Sequence, residues 1–162
     1  MSDIVLETTR FATGRPGPRL LVLGAVHGNE TCGPQAIDRV LAAIRSGSIA
    51  LRRGDVTFLP VANPRAFGQN TREGERNLNR DLRERSIPRD NEDRLGNLLC
   101  PLLRAHDVLL DLHSFTGPAA FRVRGTARQR GADRAFRSSR SRMGARHPPG
   151  RRARDSWLAR RL

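Results

Sequence analysis

Two short groups of polar residues in this sequence could do chemistry together. His27 and Glu30 are three positions apart, and Gly28 between them permits the tight turn that would bring an imidazole and a carboxylate onto one ion. His113 follows Asp111 by two positions, so their side chains share one face of a strand. Two imidazoles and one carboxylate, with a fourth position left open, are the ligand set of a catalytic zinc site. The spacing therefore predicts a metal site formed by His27, Glu30 and His113.

Each of these two groups of polar residues follows an apolar run that could form a strand and so position the group. The run LLVLGAV (20–26) has the unbroken apolar character of a central strand covered on both faces, and DVLLDLHS (107–114) has the pattern of another buried strand. Open α/β sheets bind their ligands at the carboxyl edge of such strands. We therefore expect His27, Glu30 and His113 to meet at that edge of the sheet.

The intervening sequence predicts two helices. Apolar residues recur at helical spacing over 32–47, where Gly47 can end the helix, and again over 91–106. Asn91 is a possible cap of the second helix. Pro101 should kink or divide that helix, because proline removes a backbone donor.

The remaining central segments complete the fold prediction. Residues 55–64 predict a strand that Pro64 halts, and residues 66–85 show no period and predict an ordered loop. The resulting order of strand, helix, strand, loop, helix and strand is typical of an α/β layered fold with largely parallel strands.

The predicted loop carries further candidates for substrate binding. Arg72 and Arg80 offer guanidinium groups that bind carboxylates through two hydrogen bonds or polarise a carbonyl, and Asn79 can both donate and accept. A solvated polar loop is the simpler interpretation, since arginine is abundant throughout the chain. In the same way, His113 alone could be a hydrogen-bonded core histidine, and Asp111 could pair locally.

Three motifs in order, GAVHGNE, TREGERNLNRDL and DLHS, resemble the succinylglutamate desuccinylase/aspartoacylase family, a branch of the zinc carboxypeptidase-like hydrolases. The resemblance covers about the first 120 residues. It implies one Zn²⁺ per chain and the following roles: His27, Glu30 and His113 as zinc ligands, Arg72 as the group that polarises the scissile carbonyl, and Asn79 and Arg80 as the pair that binds the substrate carboxylate. Asp111 would orient a zinc ligand from behind.

The resemblance also implies a fold and an activity. The fold is the three-layer α/β/α zinc carboxypeptidase-like (phosphorylase/hydrolase-like) fold, of which residues 1–120 would form an incomplete N-terminal part. The activity is zinc-dependent hydrolysis of the amide bond of a small carboxylate-bearing N-acyl amino acid, with the acyl group left open. A zinc peptidase that acts on peptides is the alternative within the same chemistry.

The sequence departs from the family pattern after the third candidate ligand. Family members carry a glutamate downstream of that ligand as general base, whereas all six glutamates of this chain precede His113. The general base is therefore unknown. Losing such a group typically slows turnover by about 10²- to 10⁴-fold, so we expect a metal site with reduced or absent turnover.

Residues 121–162 differ in composition from the rest of the chain. They contain 14 arginines and two aspartates, a balance of 14 − 2 = +12, which leaves +14 − 12 = +2 for residues 1–120. We expect this Arg-rich tail to be disordered, and its abrupt onset suggests a truncated or frameshifted product. A tail that binds nucleic acid is the alternative function, although three aromatic residues and no recognisable motif argue against it.

Location follows from what the sequence lacks. The N-terminal residues include acidic groups and have no apolar stretch of signal-peptide length, and the longest apolar run, 20–26, is too short to cross a bilayer. Cys32 and Cys100 form no C-x-x-C pair and are too few for a disulfide framework. These features predict a cytoplasmic protein without a membrane partner, and they leave its oligomeric state open.

Overall fold

Short apolar strands form one mixed sheet in the computed structural model, which describes residues 3–114 and 124–125. Within these residues the strands are β1 (Thr9–Ala12), β2 (Arg19–Leu23), β3 (Asp55–Leu59), β4 (Val108–Asp111) and β5 (Arg124–Gly125), in the spatial order β1-β3-β2-β4-β5. Strand β2 is parallel to β3 and to β4, whereas β1 and β5 pair antiparallel at the edges. The predicted α/β class, its parallel core and the central place of the first predicted strand are confirmed.

Helices cover both faces of this sheet. The described helices are α1 (Cys32–Arg45), α2 (Pro64–Gly68) and α3 (Asn91–Arg104). Side chains alternate along a strand, so Leu21 and Leu23 of β2 pack in the core on the side of α3, while Val22 packs in the core on the side of α1. The three-layer α/β/α arrangement is therefore present.

The helix ends differ in part from the prediction. Helix α1 closes as predicted, because Gly47 takes a positive φ of 76° and donates its N–H to a carbonyl of the last turn. Helix α3 is capped by Asp90, not Asn91: the Asp90 carboxylate accepts the Asp93 N–H, and Asn91 is the first helical residue. Pro101 lies exposed near the end of α3 and does not divide the helix.

Two predicted strands are shorter than expected. Strand β2 ends at Leu23, and the chain then turns with Ala25 at a positive φ of 46°. Strand β3 ends at Leu59, and Pro64 begins α2 after the N-cap Asn63, because proline lacks the N–H that the first helical position leaves unused. In both places the apolar pattern continues past the end of the strand, because the turn that follows is also largely buried.

Some elements of the structure were not predicted from the sequence. Strand β1 has only four residues, too few for an alternating pattern to stand out. Of the predicted loop 66–85, the first residues belong to α2, and the rest contains no helix or strand. The Arg-rich tail (121–162) lies outside the described residues, apart from the backbone of Arg124 and Gly125. No helix in the described part of the chain is long and apolar enough to span a membrane.

Candidate metal centre

The turn after β2 aims His27 and Glu30 in one direction. The Glu30 N–H donates to the His27 carbonyl at 3.1 Å, which closes the turn, and both side chains are buried, with 3% and 4% of their surface exposed. Gly28 lies against the backbone of α2, where a Cβ atom would stand 2.0 Å from the Ala66 carbonyl carbon. Only glycine fits at that point of the turn.

The neighbouring strand brings the third candidate to the same place. His113 follows β4 by two residues, and its Nδ1 lies 2.8 Å from Glu30 Oε2 and 3.2 Å from His27 Nδ1. His27 Nδ1 lies 2.9 Å from Glu30 Oε1. One ligand atom from each of the three residues lies within 4.8 Å of the others, so the group could hold a metal ion.

The outer nitrogen of each imidazole has its own partner. His113 Nε2 lies 2.8 Å from the Asp111 carboxylate, and His27 Nε2 lies 3.3 Å from Asn77 Oδ1. With these oxygens accepting, both Nε2 atoms carry hydrogen and both Nδ1 atoms can offer lone pairs. Sequence reasoning selected Asp111 but missed Asn77, which comes from the loop after α2 and has no spacing that relates it to His27.

This donor set fits a tetrahedral metal ion. Ligand atoms around zinc lie about 3.4 Å apart, because Zn–N and Zn–O bonds measure about 2.0–2.2 Å. The two Nδ1 atoms here are 3.2 Å apart, and each lies 2.8–2.9 Å from a different oxygen of the Glu30 carboxylate, so a small outward movement of these side chains would admit the ion. The lone pairs of two facing Nδ1 atoms repel each other unless a proton or a metal cation lies between them.

Hydrogen bonds around Glu30 favour its ionised form. Burial raises the pKa of Glu30, but two hydrogen bonds outweigh burial and hold that pKa below its usual value: one from the Ser114 N–H at 3.0 Å and, without a metal, one from a protonated His113 Nδ1. The pKa of His113 is raised, chiefly by its hydrogen bond to Asp111. A negatively charged Glu30 is the form that binds a metal cation.

The loop after α2 brings one of its three predicted residues to the centre. Arg72 Nη1 donates to Glu30 Oε1 at 3.1 Å, and half of the Arg72 side chain is exposed to solvent. Asn79 and Arg80 are exposed, and their backbone N–H groups donate to Asn77 Oδ1 and to the Asn77 carbonyl, respectively. No hydrogen bond among the described residues joins the side chains of Asn79 and Arg80 to the metal ligands.

Comparison with known proteins gives one family and several solved structures. Residues 16–144 match the model of the succinylglutamate desuccinylase/aspartoacylase catalytic domain. An aspartoacylase family protein from Mesorhizobium loti is 34% identical over 68% of this chain, with a TM-score of 0.60. A succinylglutamate desuccinylase from Silicibacter is 27% identical over 68%, with a TM-score of 0.58. The ectoine utilization protein of Ruegeria pomeroyi, solved with product bound, is 28% identical over 66%, with a TM-score of 0.56.

These matches concern part of each relative. The aligned region makes up 35%, 33% and 32% of the three solved chains, so this chain spans about a third of their length. The family match continues past residue 120, and the boundary that we placed there stays a prediction.

Proposed function

Because the chain belongs to the succinylglutamate desuccinylase/aspartoacylase family, we propose that it carries the zinc site of a hydrolase that cleaves the amide bond of a small carboxylate-bearing N-acyl amino acid. The observation that supports this most is the convergence of His27, Glu30 and His113 at the ends of two parallel strands. His27 and Glu30 are buried and His113 is partly buried, their ligand atoms are mutually close, and the two imidazoles are oriented from behind by Asp111 and Asn77.

The chemistry follows from the donor set. Bound zinc acts as a Lewis acid and lowers the pKa of a bound water toward about 7. His27 and His113 would hold the ion through Nδ1, and Glu30 would neutralise one of its charges. Asp111 would accept the Nε2–H of His113, which fixes that ring and makes it a stronger ligand.

Charged and polar groups of the loop would bind the substrate. Arg72 stands beside Glu30 with half of its side chain in solvent, so its guanidinium could turn toward an amide carbonyl and stabilise the negative charge that develops there. Asn79 and Arg80 are exposed on the same loop, and we assign the substrate carboxylate to them. An arginine and an asparagine together suit a small carboxylate better than a long peptide, which is why we place the peptidase second.

The general base of the reaction stays open in this proposal, because the chain spans about a third of the length of its solved relatives. Proton transfer by a general base is typically worth about 10²- to 10⁴-fold in rate, whereas zinc binding needs only the ligands. Zinc binding and turnover are therefore separate tests.

The alternative of an Arg-rich nucleic-acid-binding tail gains no support, because residues 121–162 lie outside the described side chains.

The names of the solved relatives favour acylated amino acids as substrates, since they include a succinylglutamate desuccinylase and aspartoacylase family proteins. Cytoplasmic location stays a prediction.

Zinc binding by the full chain tests the proposal. We expect one zinc per chain in a competition titration with a chromogenic chelator, and a loss of at least 100-fold in affinity in His27→Ala and in His113→Ala. His106→Gln is the matched control, because His106 lies away from the cluster and bonds to Thr57 Oγ1 and to the Leu102 carbonyl. Equal zinc affinity in all four proteins would refute the metal site.

A further inference from the structure

A carboxylate that has no role in the proposed reaction is buried beside the loop that follows α2 (71–80). Glu92, the second residue of α3, is 0% exposed. Within the described residues its hydrogen-bond partners are all N–H donors: Asn63 Nδ2 at 3.1 Å, Asn91 Nδ2 at 3.2 Å, the Glu75 N–H at 3.2 Å and the Arg76 N–H at 3.2 Å. Two of these donors belong to the backbone of the loop that carries Arg72 and Asn77.

We propose that Glu92 is the positioning residue of loop 71–80, which it fixes against the turn that carries His27 and Glu30. The part of this inference that concerns substrate binding rests on the proposed function. Glu92 lies on α3, whereas the candidate ligands follow β2 and β4, and its carboxylate acts through the loop that it holds.

The two backbone donors lie at the middle of the loop. Glu75 is three residues after Arg72, and Arg76 immediately precedes Asn77. Arg72 reaches Glu30, and Asn77 reaches His27, from either side of this anchor. A polar segment without helix or strand gains many conformations when its anchor is lost, and each residue that must be ordered again costs conformational entropy. Fixing the midpoint therefore restricts both functional ends.

A second connection runs from Glu92 to the turn that carries His27 and Glu30. Asn63 donates to Glu92 through Nδ2 and accepts the Ala66 N–H through Oδ1, which caps α2. The Ala66 carbonyl accepts the N–H of Thr71, where the loop begins, and the Ala66 backbone packs on Gly28. The same carboxylate thus holds the middle of the loop directly and its start through α2.

The chemistry of this pocket requires a carboxylate. Four N–H groups point at Glu92, and an ionised carboxylate has about four lone-pair positions to accept them. Glutamine would turn an NH₂ group toward other donors and leave buried N–H groups unpaired, which is unfavourable because these groups have also lost water. Glu92→Gln therefore removes the anchor while it preserves the size and shape of the side chain.

Amide hydrogen exchange in the full chain tests the anchor. We expect the Glu75 and Arg76 amides to be protected in the wild type and to exchange at least tenfold faster in Glu92→Gln, with the amides of β2 unchanged. Glu84→Gln is the matched control: it removes the same charge at the other end of the loop region, where Glu84 is exposed and pairs with Arg104. Unchanged exchange at Glu75 and Arg76 in Glu92→Gln would overturn the proposal.

A second variant perturbs the same carboxylate from the loop side. A Cβ atom at Gly74 would stand 2.4 Å from Glu92 Oε1, so Gly74→Ala must displace the carboxylate, and it does so without removing a charge. We expect faster exchange at Glu75 and Arg76 in this variant too. Protection retained in Gly74→Ala would contradict the anchor even where Glu92→Gln does not fold.

Ligand affinities separate positioning from general stability. On zinc-loaded protein, calorimetry with N-acetylaspartate and N-succinylglutamate should show affinity reduced at least tenfold in Glu92→Gln for whichever compound the wild type binds, with a loss of zinc affinity much smaller than in His27→Ala. Faster exchange with unchanged ligand affinity would reduce Glu92 to a structural role and overturn the functional part. If the wild type binds neither compound, the proposed function fails, and amide exchange still decides whether Glu92 orders the loop.

Discussion

The two imidazoles of the candidate centre have different partners behind them. His113 Nε2 faces a carboxylate, Asp111, at 2.8 Å, whereas His27 Nε2 faces a neutral amide oxygen, Asn77, at 3.3 Å. A charged acceptor strengthens the hydrogen bond and makes the opposite nitrogen of the ring a better metal ligand. We therefore expect Asp111 to contribute more to metal affinity than Asn77 does.

Asp111→Asn tests this difference. The amide removes the negative charge behind His113 and should weaken zinc binding by about 10- to 100-fold, the usual effect of losing such a partner. Asp55→Asn makes the same chemical change at the opposite end of a parallel strand, where Asp55 pairs with the exposed Arg10, and should leave zinc affinity unchanged. A chelator competition titration of the three proteins measures both values, and equal affinity in Asp111→Asn would show that the carboxylate is dispensable.

At the scale of elements, the turn that carries His27 and Glu30 meets helix α2 backbone to backbone. The chain after β2 and the chain after β3 are also joined by hydrogen bonds, from the Ala62 N–H to the Gly24 carbonyl at 2.9 Å and from the Asn63 N–H to the Ala25 carbonyl at 3.1 Å. The turn that carries His27 is therefore well packed, because the segment that joins β3 to α2 supports it. A change on either side of this contact should reach the metal ligands.

Gly28→Ala tests the contact. The added Cβ would lie 2.0 Å from the Ala66 carbonyl carbon and 2.1 Å from its oxygen, so α2 and the turn must separate. We expect a loss of about 1–3 kcal/mol or more in the free energy of unfolding, since overpacking against backbone is not relieved by a rotamer change.

Gly68→Ala is the control for this substitution, because a Cβ at Gly68 meets nothing within 4 Å and the residue lies in α2. Each kcal/mol lost should lower Tm by about 2–4 °C in a chain of this size, so differential scanning calorimetry resolves the two variants. A wild-type Tm in Gly28→Ala would mean that the turn and α2 are not in contact.

At the scale of the whole molecule, ion pairs on one side of the sheet hold the irregular loop after α2 against helix α3. The Asp93 side chain, 1% exposed, accepts hydrogen bonds from Arg76, Arg85 and Arg89, which lie along the loop before the helix. The pKa of Asp93 is held far below its usual value, first by the Arg89 guanidinium and against the opposing effect of burial. Arginine is common in this chain, but these three have a specific structural role.

Acid unfolding measures this contribution. Because the pKa of Asp93 is lower in the folded than in the unfolded protein, its stabilisation is complete above about pH 5 and is lost progressively as pH falls through the unfolded value of 3.8 toward the lower folded pKa. We expect Asp93→Asn to be less stable than wild type at pH 7 and to lose less stability between about pH 4 and pH 2. Asp38→Asn, an exposed position on α1, should follow the wild-type curve in urea titrations at each pH. Parallel curves for wild type and Asp93→Asn would contradict this role.

The sequence by itself determined the parts that depend on local pattern. Apolar runs and apolar residues at helical spacing pack together to leave water, so the central strand, its two parallel neighbours and the two long helices follow from residues 20–26, 55–64, 107–114, 32–47 and 91–106. Because parallel strands end at one edge of a sheet, the meeting of His27, Glu30 and His113 could also be foreseen. Short elements such as β1 and α2 could not, since four or five residues carry too little periodic signal.

Only the tertiary structure decided how the loop reaches the centre. Nothing in the spacing of Asn77 relates it to His27, fifty residues earlier, and nothing marks Glu92 as the acceptor of backbone donors from the loop. These contacts depend on where a segment without regular structure folds back, and that path is set by the carboxylates of α3 and by the space left at Gly28 and Gly74. Such restraints act between residues distant in sequence, so no local pattern contains them.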